Sequence, residues 1–184
     1  MRSINRNFEI LSKVTFSPIL YKRFKPYIDA VLDFLYPAFC LNCAIRLKSG
    51  DGLVCEDCWQ ALPRINSDAQ SEIPHVSQSL AVWEFGEELQ QIVHEFKFFG
   101  KKSLAGRMGD EMAKLASCSP GFSSADLILP VPLHKIRMRE RGYNQSLLLA
   151  QRIARTLGIP CIPTILKRER YTQTQSKLNI EQRT

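Results

Sequence analysis

No stretch of this chain approaches the roughly 18 consecutive apolar residues that a bilayer-spanning helix needs, and charges interrupt every candidate. The first 25 residues carry Arg2, Arg6, Lys13, Lys22, Arg23 and Lys25, but lack the continuous apolar segment and small-residue cleavage site of a secretory signal. They read as a surface extension, or a start codon set too early, rather than as a targeting segment. A cytoplasmic protein is expected. Histidine is scarce, at three residues, and neither His75 nor His94 has the spacing of a metal ligand. There is no internal repeat and no low-complexity tract, so a solenoid or an array is excluded. Acidic residues are scarce in one region only. Residues 126–184 hold 11 Lys+Arg against 4 Asp+Glu, whereas residues 1–125 hold 14 of each. The whole net charge of +7 therefore lies in the last third. Such a segment points to a polyanionic partner, or to an acidic counterpart elsewhere in a longer protein.

What is present fits one domain, or a small module followed by a moderate one: 184 residues, 45% of them hydrophobic. Six cysteines without a secretion signal argue against a disulfide framework. Four of them form two tight pairs, Cys40 with Cys43 and Cys55 with Cys58, each C-x2-C, with eleven residues between the pairs. Two residues between cysteines let both sulfurs of a tight turn face one point. Two such turns supply the four thiolates of a tetrahedral Zn²⁺ site, with no position left open for water or substrate. The expected role is structural. A thioredoxin-like redox motif needs only one pair, so it fits less well. Lys48-Ser49-Gly50-Asp51-Gly52 offers the turn chemistry for a short hairpin between the knuckles. Cys118 and Cys161 stand alone and read as ordinary small residues.

Periodicity predicts a helix over 26–36, opened by Pro26, with Ile28, Val31, Leu32 and Leu35 on one face. A linker is expected over 63–78. Further helices are expected over 87–99, 104–116 and 145–157, stopped by Gly100 in the first case and Gly158 in the last, with Ser103 and Asn144 as N-caps of the second and third. Strands are expected over 80–85, 127–132 and 161–166, the last two joined by the helix as a parallel βαβ unit. Residues 133–143 read as a basic loop at the end of a strand, where open α/β sheets bind ligands. Arg137, Arg139 and Arg141 there can grip phosphate, Gly142 permits an unusual turn, and the following helix offers free N–H groups to an anion. A solvated basic loop with Asn144 as a plain cap is the alternative. Lys97 either reaches the same cleft or is a surface lysine whose stem covers apolar neighbours.

The stretch Leu129-Pro130-Val131-Pro132-Leu133-His134-Lys135, continued by Arg139-Glu140-Arg141-Gly142-Tyr143-Asn144-Gln145, is the most distinctive in the chain. With the four cysteines upstream, Phe96-Lys97-Phe98-Phe99-Gly100 between, and Arg168, Gln175-Ser176-Lys177-Leu178 and Glu181-Gln182-Arg183 after, it resembles the ComF family of bacterial phosphoribosyltransferase-like proteins. The resemblance runs from about residue 34 to the last residue. It implies a zinc-ribbon-like module in front of a type I phosphoribosyltransferase fold, and a link to DNA uptake in competent bacteria.

The expected fold is thus α/β: a basic extension and helix over 1–36, a zinc-ribbon-like module over 37–62, a linker over 63–78, and a partial phosphoribosyltransferase-like domain with an incomplete parallel sheet over 79–184. In that family's pattern, adjacent acids after a strand and a Thr/Gly-rich loop would hold phosphoribosyl pyrophosphate. Glu56-Asp57, Glu87-Glu88 and Asp110-Glu111 are the adjacent acids here, and none has that setting. The pattern places the loop shortly after Arg183, so no catalytic residue is assigned and the chain alone is expected to be inactive. Lys97, Arg137, Arg139, Arg141, Asn144 and Gln145 are the candidate phosphate contacts. Zn²⁺ is the expected structural ion, with Mg²⁺ only alongside phosphoribosyl pyrophosphate. Three functions stay open: a phosphoribosyl-transferring enzyme, a single-stranded-DNA-binding module with Tyr143 and Tyr171 as its stacking aromatics, or a truncated, nonfunctional remnant.

Overall fold

The computed structural model describes residues 18–48, 50, 52–65 and 75–171. The terminal extension over 1–17, the middle of the expected linker and the stretch from Gln175 to Arg183 lie outside the described residues. Among the described residues there are seven helices: α1 (Pro18–Leu35), α2 (Glu56–Ala61), α3 (Glu87–Phe98), α4 (Leu104–Ser117), α5 (Pro120–Ser123), α6 (Lys135–Arg141) and α7 (Gln145–Leu157).

Helix α3 forms as its sequence dictates. Leu89, Ile92 and Phe96 fall on one face and are buried. Glu87 and Glu88 complement the positive end of the helix dipole and Lys97 the negative end. Gly100 follows with φ +71, a left-handed conformation that costs other residues more. Helix α4 packs on α7. Its buried Ala113 and Ala116, and Ala150 and Ala154 of α7, let the two backbones approach. A Cβ at Gly109 would stand 2.6 Å from Arg152 Cβ, so only glycine fits that crossing. Arg152 clasps Asp110 across the same interface at 2.5 and 2.8 Å, and that bond holds the Asp110 carboxyl below its ordinary pKa. Ser103 precedes α4 but makes no side-chain cap bond.

The expected parallel sheet is absent among the described residues, and the α/β class is overturned. The β contacts among the described residues are isolated bridges: Phe39 with Arg46 and Arg64 with Trp83, both antiparallel, and Ile128 with Cys161, parallel. The proposed βαβ unit thus shrinks to one parallel bridge, in which Ile128 N–H donates to Pro160 O at 2.9 Å and Ile162 N–H to Ile128 O at 3.1 Å. Proline explains why it extends no further. Pro130 and Pro132 on one segment, and Pro160 and Pro163 on the other, carry no N–H with which to continue a ladder. The apolar residues expected inside a sheet are accordingly on the surface, with Val131 at 63% and Ile165 at 53% exposure. Two further expectations change. Helix α1 runs through Pro26 instead of starting there, and the supposed basic loop contains α6.

One core joins the cysteine module to the helices. Leu47, Val54, Trp59 and Leu62 of the module pack in a single cluster with Val82 and Trp83, with α3, with Leu104 and Met108 of α4, and with Tyr143. The Trp59 and Trp83 rings lie 5.8 Å apart, tilted by 35°.

Glu111 fastens α4 to the segment leaving the module. Its side chain is 7% exposed and accepts from Arg64 at 2.6 Å and Lys114 at 2.8 Å. Those bonds, Lys114's first and Arg64's second, lower its pKa to about 2, against the opposing effect of burial. A depressed carboxylate stabilises the fold above its unfolded pKa, and that stabilisation is lost as pH falls toward the folded value. Because both partners are mostly exposed, the contribution is screened to about 2 kcal/mol. Glu111→Gln is therefore expected to be about 2 kcal/mol less stable than the wild type at pH 7, with the gap closing between about pH 5 and pH 2. Urea unfolding across that range checks it; a gap independent of pH would contradict the ionic role.

Candidate metal centre and basic face

The first knuckle is built by local hydrogen bonds. Cys40 N–H donates to Ile45 O at 2.9 Å, and Ala44 N–H returns to Cys40 O at 3.0 Å. Ala44 takes φ +56, the left-handed turn that brings Cys43 back beside Cys40. The bridge of Phe39 with Arg46 belongs to this knuckle, and the hairpin expected over 48–52 lies in part outside the described residues. The second knuckle is a helix start. Cys55 is the N-cap residue of α2 but spends no side-chain bond on capping, and Cys58 follows in the first turn.

These two turns bring all four sulfurs within 4.8 Å of one another, and Cys43 and Cys55 Sγ stand 3.7 Å apart. Four sulfurs at about 2.3 Å from a tetrahedral zinc lie about 3.8 Å from each other, so the set fits Zn²⁺ closely. Cys55 N–H also donates to Cys40 Sγ at 3.4 Å. Burial raises the Cys40 thiol, but backbone N–H donors from Cys43, Cys55 and Asn42 outweigh it and bring the pKa down to about 6. Burial and the neighbouring thiols push Cys58 up, and Cys55 is raised despite a backbone bond from Cys58 that lowers it. A dication removes that mutual repulsion by taking all four as thiolates. Among the described residues these thiols are the only group of this kind able to hold a metal. Sulfur donors suit Zn²⁺; the Mg²⁺ expected only alongside phosphoribosyl pyrophosphate finds no support among the described residues.

The structure sorts the six candidate phosphate contacts. Asn144 caps α7, its Oδ1 accepting from Ser146 N–H at 3.0 Å, while its Nδ2 donates to Val131 O at 3.0 Å. Gln145 is buried and bridges two others. Its Oε1 accepts from Arg141 at 3.0 Å and its Nε2 donates to Lys97 O at 3.4 Å. Arg137 and Arg141, four residues apart on α6, share a face, whereas Arg139 projects about 200° round the helix. The three arginines are thus not one row. Arg137 pairs with Glu140 at 2.8 Å. Neither Lys97 nor Arg141 forms an ion pair among the described residues. The Lys97 residue is exposed, yet its pKa is lowered, first by desolvation against the surrounding protein and then by the Arg141 charge. Arg141 is likewise lowered by desolvation and by Arg137.

Tyr143 is not a surface aromatic. It is buried, and its hydroxyl donates to Phe96 O, which fastens the end of α3 beside Gly142. Phe98 and Phe99 take the exposed aromatic place instead, at 52% and 60% exposure. The Arg141 guanidinium lies 5.1 Å from the Phe98 ring centre and that of Arg137 5.2 Å from Tyr171. The sequence separates Phe98 from Arg141 by more than 40 residues. Only the Phe-Lys-Phe-Phe-Gly string hinted that they belong together.

Four thiols converging on one point define a zinc-ribbon protein. Residues 31–69 match a family described as "Double zinc ribbon domain". The four cysteines in that span gather into one group. The chain is 31% identical over 113 residues to "Competence protein F" of Haemophilus influenzae, covering 60% of this chain and 49% of that one. It is 28% identical over 163 residues to "DNA utilization protein YhgH" of Salmonella typhimurium, covering 78% and 72%. It is 26% identical over 132 residues to "Competence protein ComFC" of Bacillus subtilis, covering 67% and 54%. No solved structure matches. These matches support the resemblance to the ComF family, with a zinc ribbon toward the N-terminal side. It spans about half the length of the Haemophilus and Bacillus relatives.

Proposed function

We propose that the zinc ribbon and helical core hold a single-stranded-DNA-binding face, built from Lys97 and Arg141 with the exposed rings of Phe98 and Phe99, and extended along α6 by Arg137 and Tyr171. One observation carries the proposal: Gln145 joins the Arg141 side chain to the Lys97 carbonyl and Arg141 lies over Phe98, which sets two cationic residues on one face, with no ion pair to either among the described residues. Crowding of like charges is unfavourable until an anion enters. Phosphates would sit on the two cations, and bases would stack on the exposed rings. Relatives named for competence and DNA utilization make that ligand the one to test first.

Fluorescence anisotropy with a labelled oligothymidylate, titrated across salt concentrations, tests it. Binding is expected to weaken steeply with salt. Lys97→Ala/Arg141→Ala should make the log–log salt slope shallower by about 1.4, two contacts at about 0.7 each. Phe98→Ala should cost about 1–3 kcal/mol at constant salt slope. Binding that ignores salt, or that survives the double variant, would remove the proposal. Phosphoribosyl pyrophosphate offers phosphates to the same cations. A melting-temperature rise with that compound and Mg²⁺, without oligonucleotide binding, would replace DNA by the small ligand.

A further inference from the structure

Among the described residues, no apolar side chain of helix α1 joins the buried core. Its described side chains from Arg23 to Tyr36 are all exposed except those of Asp29 and Asp33, with Leu32 not described. The exposed set includes Phe24 at 49%, Tyr27 at 71%, Ile28 at 48%, Val31 at 57% and Leu35 at 60%. These five fall on one face by helical geometry, since each lies three or four residues from another of the set. An isolated helix of this length is marginal in water unless such a face is covered.

The charges say what covers it. At 100° per residue, Arg23 and Lys25 lie about 100° to either side of the midline of the apolar face. Asp29 and Asp33 lie near the opposite pole. Asp29 and Asp33 are the half-buried positions of the helix, and Arg46 donates to the backbone carbonyl of Asp33 at 3.0 Å, so that side meets the protein and the apolar face points outward. Lys25 is shared with Asp29 at 2.6 Å, an exposed pair that a stronger anion can displace. The 25 residues up to Lys25 hold six Lys+Arg and one acid, Glu9. A second copy of α1 would favour a narrow apolar seam flanked by charges of both signs. Here the apolar arc is broad and partly aromatic, and both flanking charges are positive. That arrangement suits a helix lying in the plane of a lipid surface, with cations reaching up to phosphate headgroups. No helix among the described residues is long and apolar enough to cross a membrane, which leaves the in-plane arrangement as the way this helix would meet one.

We infer that α1 docks the protein on an anionic membrane surface. The test is flotation of the zinc-loaded full chain with phosphatidylcholine vesicles, with and without phosphatidylglycerol at about one lipid in three. Anionic vesicles are expected to hold about tenfold more protein than neutral ones. Ile28→Asp/Val31→Asp should abolish flotation with both while keeping its zinc. Arg23→Gln/Lys25→Gln should remove only the preference for anionic lipid. Arg141→Ala should change nothing, which separates α1 from the basic face of α6. Three results would overturn the inference: no flotation with either vesicle, flotation that survives Ile28→Asp/Val31→Asp, or a dimer in sedimentation that this variant dissociates.

Discussion

A Cys40→Ser variant is expected to purify without zinc and to lose the fold of the ribbon. The module has little else to hold it. Its regular structure among the described residues is the six-residue α2 and one isolated bridge. A serine hydroxyl stays protonated at neutral pH, so one of four ligands is gone and the site no longer closes. Structural zinc contributes about 10–16 kcal/mol in small zinc-bound modules, comparable to the 5–15 kcal/mol that stabilise a whole domain. The damage should travel further, because Val54, Trp59 and Leu62 share one core with α3 and α4. Metal analysis and thermal unfolding, followed by the near-ultraviolet dichroism of Trp59 and Trp83, report both parts. Chelation of the wild type should reproduce the variant. Full stability without metal would mean that packing alone holds the ribbon.

Phe96→Ala should produce the second large loss, about 3–5 kcal/mol, as truncating a buried aromatic leaves a cavity that rigid neighbours fill only in part. Phe96 is 2% exposed, and its ring lies 5.9 Å from that of Tyr143. Its carbonyl is where the Tyr143 hydroxyl bonds, and the next residue is Lys97. The same side chain therefore anchors α3 in the core and sets the position of one half of the basic face. Phe96→Ala is expected to bind oligothymidylate more weakly even at temperatures where it remains folded. Phe99→Ala, which removes an exposed ring, should leave unfolding free energy nearly unchanged while weakening binding. Equal stability of Phe96→Ala and the wild type in urea would contradict the core assignment.

How much of this was legible in the residues depended on how local the signal was. Two C-x2-C turns are complete within a few residues each, and the thiols meet as their spacing requires. Helices α3, α4 and α7 follow from a 3.6-residue period in Leu89, Ile92 and Phe96 and its counterparts, and their ends differ from expectation by a residue at most. The strands expected over 127–132 and 161–166 do not form because prolines interrupt their apolar β-branched residues, and the one expected over 80–85 keeps only the bridge of Trp83 with Arg64. Pro130, Pro132, Pro160 and Pro163 remove the donors that a ladder needs, and one parallel bridge is what remains. Alternating arginines at 137, 139 and 141 looked like a loop. They lie on α6, closed by Gly142 at φ +76, which joins Arg137 to Arg141 and sends Arg139 elsewhere. The meeting of Phe98 with Arg141 is tertiary, brought about by Tyr143 bonding to Phe96 and Gln145 reaching Lys97. No pattern within either segment encodes it.

X-ray absorption at the zinc edge of the purified protein, with metal stoichiometry measured on the same sample, tests the metal centre most directly. One zinc per chain, surrounded by four sulfurs at about 2.3 Å, is the expected result. No zinc, or a shell with nitrogen or oxygen in place of these thiols, would contradict a closed centre at Cys40, Cys43, Cys55 and Cys58.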